Sequence, residues 1–72
     1  MNGLTEQQQE VFKFIKLYKK SHGYPPSRNE ISQGFGWSSA NAAQQHLRAI
    51  ERKGYIRLLP GKIARGIVVL KK

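Results

Sequence analysis

The side chains with the clearest chemistry in this 72-residue sequence are amides and guanidinium groups clustered between residues 39 and 53. When successive residues are turned by about 100° along a helix, one face collects Asn41, Gln44, Gln45, Arg48 and Arg52. The opposite face carries Ala43, Leu47 and Ile50, which indicates burial. Asn and Gln can pair with the N6/N7 edge of adenine, and Arg can pair with the O6/N7 edge of guanine. This polar face therefore predicts a helix that contacts bases in the major groove of duplex DNA.

The polar face is unusual because it contains no acidic residue. Ordinary surface helices mix Glu with Lys, since ion pairs four residues apart support the helix. The whole chain has 13 Lys and Arg residues against four acidic residues, a formal net charge of +9. Five basic and three acidic residues in 1–47 leave +2, whereas eight basic and one acidic residue in 48–72 leave +7. This asymmetry favours a polyanionic partner over a surface kept soluble by mixed charges.

Further candidate contacts flank the polar face. Ala42 lies beside it and can touch a thymine methyl group, although alanine is also a common helix former. Arg28 and Lys53 can meet phosphates, or can serve solubility and the helix dipole respectively. We expect base contacts from Ser39, Asn41, Ala42, Gln44, Gln45 and Arg48, and phosphate or wing contacts from Arg28, Arg52, Lys53, Lys62 and Arg65.

Catalytic and metal-binding constellations are missing from the sequence. It contains no Cys and no Asp, and the two histidines, His22 and His46, have no neighbours that would complete a metal site. It also lacks a nucleophile–base set and a phosphate-binding glycine loop. No segment approaches the ~20 apolar residues of a membrane span, and residues 1–5 carry no targeting signal. We therefore expect a non-enzymatic protein with no cofactor, no metal, no small-molecule substrate and no membrane partner.

Two capping boxes predict the helices that precede the polar face. Thr5-x-x-Gln8 opens a helix over about residues 6–21, which contains Val11, Phe12, Ile15 and Tyr18 at helical spacing. Ser27-x-x-Glu30 opens a second helix, which Gly34 and Gly36 are expected to end after two to three turns. We expect Trp37 to fill the core beneath the turn that follows.

The third helix and a hairpin complete the predicted fold. Ser38 or Ser39 caps the helix, which runs to about Lys53 and is followed by Gly54. Two β-rich runs, 55–59 and 67–70, flank a basic loop and predict a two-stranded hairpin. Residues 1–72 are therefore expected to form one domain, mainly α with a small antiparallel β-hairpin, of the winged helix-turn-helix class.

Several strings of residues resemble the N-terminal DNA-binding domain of LexA-type repressors. They are Leu4-Thr5-x-x-Gln8-Gln9-x-Val11-Phe12, Gly23-x-Pro25-Pro26-x-Arg28-x-Glu30-Ile31, Ser39-x-Asn41-Ala42-Ala43-x-x-His46-Leu47, Arg52-Lys53-Gly54-x-Ile56 and Arg65-Gly66-Ile67. The resemblance implies a winged helix-turn-helix repressor of the SOS type, with double-stranded DNA as partner and two copies on a palindromic operator. It also implies a cytoplasmic protein, bacterial or phage-encoded. By position it assigns base contacts to Ser39, Asn41, Ala42, Gln44 and Gln45, and phosphate contacts to Arg28, Arg52 and Lys53.

The sequence departs from this family at Gln44 and Gln45, and in its wing, where residues 60–66 are slightly longer and more basic than usual. The family commonly carries acidic residues where this chain has Gln44 and Gln45. A carboxylate accepts from cytosine N4 and cannot donate, whereas glutamine can do both, so base preference is expected to differ at these positions. LexA-type repressors also have a C-terminal peptidase-like domain that cleaves itself and dimerises. This chain ends at Lys72, so self-cleavage is not expected of it, whether it is an excised domain or a free-standing regulator.

Two other functions use the same features. A winged helix can serve as a protein-interaction module, a decoy or antirepressor that binds another regulator, since fold alone does not decide function. That function would require an exposed apolar patch beside the third helix, including Trp37 or Tyr55. Non-specific packaging of nucleic acid is a third alternative, and it would show no preference among duplexes.

Overall fold

Three helices and a two-stranded hairpin follow one another along the chain in a computed structural model, which describes residues 3–61 and 65–70. Helices α1, α2 and α3 span Glu6–His22, Arg28–Phe35 and Ala40–Arg52, and strands β1 and β2 span Ile56–Leu58 and Ile67–Val69. The strands pair antiparallel, with Arg57 opposite Val68. This order and pairing confirm the predicted class, mainly α with a small β-hairpin.

Both predicted capping boxes are confirmed. The Thr5 hydroxyl accepts from the backbone N–H of Gln8, whose side chain accepts in return from the Thr5 N–H. Ser27 and Glu30 form the same reciprocal pair at the start of α2, at 3.2 and 2.8 Å. These bonds satisfy backbone donors that have no partner within the first turn of a helix. Both helix starts are thus determined by residues three apart in the sequence.

The core lies where the three helices meet the base of the hairpin. Its fully buried side chains come from every helix and from β1, and the largest of them are Val11, Ile15, Ile31, Leu47, Ile50 and Ile56. The predicted inner face of α3 is therefore confirmed. Phe35, four residues after the fully buried Ile31 on α2, is only partly buried and packs against this core.

The turn between α2 and α3 differs from the prediction in two ways. Trp37 is half-buried at the margin of the core, and its ring stacks between Phe35 and His46, with centroids 4.8 and 5.0 Å away. It does not fill the core, because aliphatic side chains already occupy that space. Gly36 ends α2 with φ 74°, as expected, but Gly34 lies inside the helix. A Cβ at Gly34 would lie 2.6 Å from Phe14 Cε2, so close packing of α1 against α2 accounts for this glycine.

Strands β1 and β2 have three residues each and are shorter than the predicted runs, 55–59 and 67–70. Backbone hydrogen bonds nevertheless extend the pairing at both ends, from Leu59 N to Gly66 O and from Leu70 N to Tyr55 O. The predicted basic tip includes Lys62, which lies outside the described residues. No helix among the residues described is long and apolar enough to cross a membrane.

Candidate nucleic-acid interface

The polar face of α3 is open to solvent along its length. Asn41, Gln45, Arg48 and Arg52 are exposed, and Gln44 is half-buried. On the other side of the helix Ala43, Leu47 and Ile50 are at most 1% exposed. The amide and guanidinium groups predicted to share one face therefore do share it, and none of them is used to build the core.

The N-terminal end of α3 is held in place by two serines. The Ser39 hydroxyl accepts from the Asn41 N–H at 3.1 Å and caps the helix. Ser32 Oγ, on α2, donates to the Ser39 carbonyl oxygen at 3.0 Å, and Ser32 is only 4% exposed. This buried bond fixes the angle at which α3 leaves α2. The sequence offered no signal for Ser32 beyond its place next to Ile31.

A groove of about 720 Å³ separates the polar face of α3 from the hairpin. Three guanidinium groups line it, those of Arg28, Arg48 and Arg52. Glu51 also lines the groove, but its carboxylate accepts from the Leu58 N–H at 2.8 Å. That bond attaches β1 to α3, a role that sequence analysis did not assign to Glu51. The groove is therefore predominantly cationic, as the partner of a polyanion should be.

Arg28 reaches the polar face from the neighbouring helix. Its Nη1 donates to Gln44 Oε1 at 2.6 Å. Arg28 begins α2 and Gln44 lies in the second turn of α3, so the bond crosses between the two helices of the helix-turn-helix. Two of the predicted contact residues, one assigned to phosphate and one to bases, are thus directly joined.

Two other predicted phosphate contacts have partners within the protein. Lys53 Nζ donates to the carbonyl oxygen of Gly3 and to Gln8 Oε1, at the start of α1. Arg65 Nη1 donates to the Pro25 carbonyl oxygen at 3.1 Å, and the guanidinium lies 4.5 Å from the centre of the Tyr24 ring. Both side chains are thus bonded to other parts of the protein. Their contacts with phosphate stay predictions.

Arg65 also pairs with Glu30, and the pair shifts the pKa of both groups. Hydrogen bonding to Arg65, followed by the Ser27 backbone N–H, lowers the pKa of Glu30 from 4.5 to about 2. The bond to Glu30 in turn raises the pKa of Arg65 above its ordinary value. Both pKa shifts favour the charged forms, so the pair stays ionic to a lower pH than an unpaired glutamate would allow.

The histidines take part in packing contacts. His22 stacks on Tyr18, with ring centroids 4.0 Å apart, and His46 stacks on Trp37. Within 3–61 and 65–70, no three His, Cys, Asp or Glu side chains come together in a way that could hold a metal ion.

The apolar side chains named for a protein-interaction surface are partly buried. Trp37 packs between Phe35 and His46, and Tyr55 meets Phe12 edge-on, with ring centroids 5.3 Å apart. Neither side chain forms the open patch that a decoy or antirepressor would need beside α3.

Comparison with known proteins gives one consistent result. The family model for the LexA DNA binding domain matches residues 1–66. The chain is 51% identical over 67 residues to the LexA repressor of Glaesserella parasuis serovar 5, which covers 93% of this chain and 32% of that protein. It is 48% identical to the LexA repressor of Cellvibrio japonicus, with 93% and 33% covered, and 49% identical to that of Haemophilus influenzae, with 97% and 33% covered. The chain spans about a third of the length of these curated relatives.

Proposed function

Because this chain belongs to the LexA DNA-binding domain family, we propose that it is a transcriptional repressor that binds one half-site of a duplex DNA operator. The observation that carries the proposal is the exposed face of α3, which presents amides and guanidinium groups with no carboxylate among them. An α-helix fits the major groove, which is about 12 Å wide. Its partner is double-stranded DNA, and its residues act by binding rather than by catalysis.

Base recognition in this proposal comes from the N-terminal two-thirds of α3. Asn41, Gln44, Gln45 and Arg48 offer donors and acceptors to base edges, with Ser39 and Ala42 at the margin of the contact. The positive end of the α3 dipole favours an anion there, and the first turn holds no acidic residue to compete. The N-terminus of α3 therefore enters the groove first.

Phosphate contacts surround this face. Arg28 on one side and Arg52 on the other are exposed, and both line the groove next to the hairpin. Lys53 and Arg65 extend the cationic surface toward α1 and the wing. Lys62, outside the described residues, is proposed as a further phosphate contact of the wing. Two copies on half-sites about one helical turn apart would form the repressing complex in a bacterial cytoplasm, since linked half-sites raise affinity without new contacts.

Substitution of Asn41 by alanine tests the proposal directly. Selection from a random pool of duplexes with the wild-type chain supplies a cognate duplex, and a scrambled duplex of equal length serves as reference. Asn41→Ala should weaken cognate binding by about 1–3 kcal/mol and leave scrambled binding almost unchanged. Gln7→Ala, at an exposed position on α1, should alter neither. An equal loss on both duplexes, or no loss on either, would refute base contact by Asn41. No enriched motif in the selection would refute sequence-specific binding.

A further inference from the structure

The bond between Arg28 and Gln44 determines how Gln44 can meet a base. A guanidinium has five N–H donors and no acceptor, so the carboxamide atom that faces Arg28 Nη1 at 2.6 Å must be the oxygen. The other end of the carboxamide is then the Nε2 amino group, which carries two N–H donors. Without such a partner, a glutamine side chain can rotate its carboxamide and offer either end.

The two ends of a carboxamide recognise different bases. The oxygen accepts from cytosine N4 or adenine N6, whereas the amino group donates to guanine N7 or O6, to adenine N7 or to thymine O4, so cytosine alone offers the amino group no acceptor. Resting on the proposed function, we propose that Arg28 is a positioning residue that holds Gln44 as a hydrogen-bond donor toward DNA. Gln44 thereby selects a base that presents an acceptor and disfavours cytosine.

The place of the two residues in the groove supports this role. Gln44 is half-buried, whereas Gln45 is exposed, and both Arg28 and Gln44 line the groove between α3 and the hairpin. The bond also joins separate helices, so it links the orientation of Gln44 to the packing of α2 on α3. Gln45 has no such constraint from Arg28, so the orientation of the Gln44 carboxamide can be compared with that of an unconstrained glutamine on the same helix.

Arg28 can contact a phosphate in this arrangement as well. The two roles differ in how the loss of Arg28 changes the affinities for different duplexes. The bond to Gln44 uses only one of the five N–H groups of Arg28, so the guanidinium can also meet the DNA backbone. Loss of a phosphate contact weakens binding to every duplex by the same factor and lowers the salt dependence. Loss of a positioning contact changes the ratio of affinities between duplexes that differ at one base pair.

The experiment measures these ratios with the full chain. The duplex selected by the wild type is varied one base pair at a time, and dissociation constants are measured for wild type, Gln44→Ala, Arg28→Ala and the double variant. Gln44→Ala identifies the base pair that Gln44 contacts, as the one whose preference disappears. At that base pair the wild type should discriminate against cytosine by about three- to tenfold, the worth of one hydrogen bond. Arg28→Ala should reduce this ratio toward one, and the double variant should show no further change.

A matched control separates positioning from charge. Arg52→Ala removes a cation from the same groove and should weaken all duplexes evenly while every ratio keeps its wild-type value. Circular dichroism spectra and melting temperatures of all variants check that each is folded.

Two outcomes overturn the proposal while the proposed function stands. One is an even loss of affinity with Arg28→Ala, with the ratio at the Gln44 base pair unchanged; the other is a wild-type preference for cytosine at that base pair. If the wild type enriches no motif from the random pool, the proposed function itself fails and this inference fails with it.

Discussion

Arg65 and Glu30 are 35 residues apart in the chain, and their side chains form two parallel hydrogen bonds of 2.6 and 2.8 Å. Glu30 at the same time accepts from the Ser27 N–H and completes the capping box of α2. The Glu30 carboxylate thus caps the start of α2 and also binds Arg65, which lies two residues before strand β2. The wing is positioned relative to the helix-turn-helix by this pair.

Removal of the Glu30 charge should make the fold less stable in a pH-dependent way. Glu30→Gln keeps an acceptor for the capping box but loses the ion pair. The pKa of Glu30 is lowered from 4.5 to about 2 in the folded protein, so its contribution is present above pH 4.5 and is lost as the pH falls toward 2. The wild type should therefore melt at a higher temperature than the variant at pH 7, and the two should converge across this window. Thermal melts followed by circular dichroism at several pH values measure this.

The exposed Glu10 on α1 provides the control for this prediction. Glu10→Gln should leave the pH dependence of the melting temperature as in the wild type. A gap between wild type and Glu30→Gln that persists undiminished at pH 2 would contradict the assignment of the effect to the ion pair.

Loss of the Ser32 hydroxyl should loosen the turn between α2 and α3. Ser32→Ala removes the bond to the Ser39 carbonyl oxygen at a position that is 4% exposed. We expect a loss of about 1 kcal/mol in the free energy of unfolding, the usual worth of such a bond, as measured by urea denaturation. Ser21→Ala, at an exposed serine of α1, should change stability little. Equal effects of the two substitutions would show that the buried bond contributes nothing.

Substitution of Gly34 should destabilise the protein although it adds a better helix former. Alanine in a helix interior gains up to about 1 kcal/mol over glycine, but here its Cβ would meet the ring of Phe14 at 2.6 Å. Phe14 packs against Phe35 and Tyr18, with ring centroids 5.4 and 6.0 Å away, so its displacement disturbs both contacts. We expect a net loss of about 1–2 kcal/mol in the free energy of unfolding.

Gln33→Ala changes the preceding, exposed position of the same helix and should be neutral or slightly stabilising. Chemical denaturation of both variants makes the comparison. A Gly34→Ala protein as stable as the wild type would mean that α1 and α2 can separate without cost at this contact.

The affinity for duplex DNA should fall steeply with salt, and the steepness should report individual phosphate contacts. The logarithm of the binding constant declines with the logarithm of salt concentration by about 0.9 for each phosphate neutralised. Arg52→Ala should therefore reduce the slope by about 0.9. Lys13→Ala, at an exposed position on α1, should leave the slope unchanged. An unchanged slope for Arg52→Ala would remove Arg52 from the phosphate contacts.

Local patterns in the sequence were sufficient for the helices and for the separation of their faces. The capping boxes at Thr5 and Ser27 involve residues three apart, and the two faces of α3 follow from its periodicity. Trp37 shows the limit of such reasoning. Its size and apolar character indicated a core position, but the available space depends on side chains from other helices, and the ring stacks at the margin instead.

The sequence by itself therefore determined the order of elements, the bounds of the helices to within a residue or two, and the identity of an acid-free polar face. Only the tertiary structure decided which of the predicted contact residues form hydrogen bonds with other parts of the protein, and with which partners. The bonds from Arg28 to Gln44, from Arg65 to Glu30 and from Lys53 to Gln8 span 16, 35 and 45 residues. Helix starts and amphipathic faces depend on neighbours within one or two turns of chain, whereas these pairs exist because packing of the core brings distant segments together.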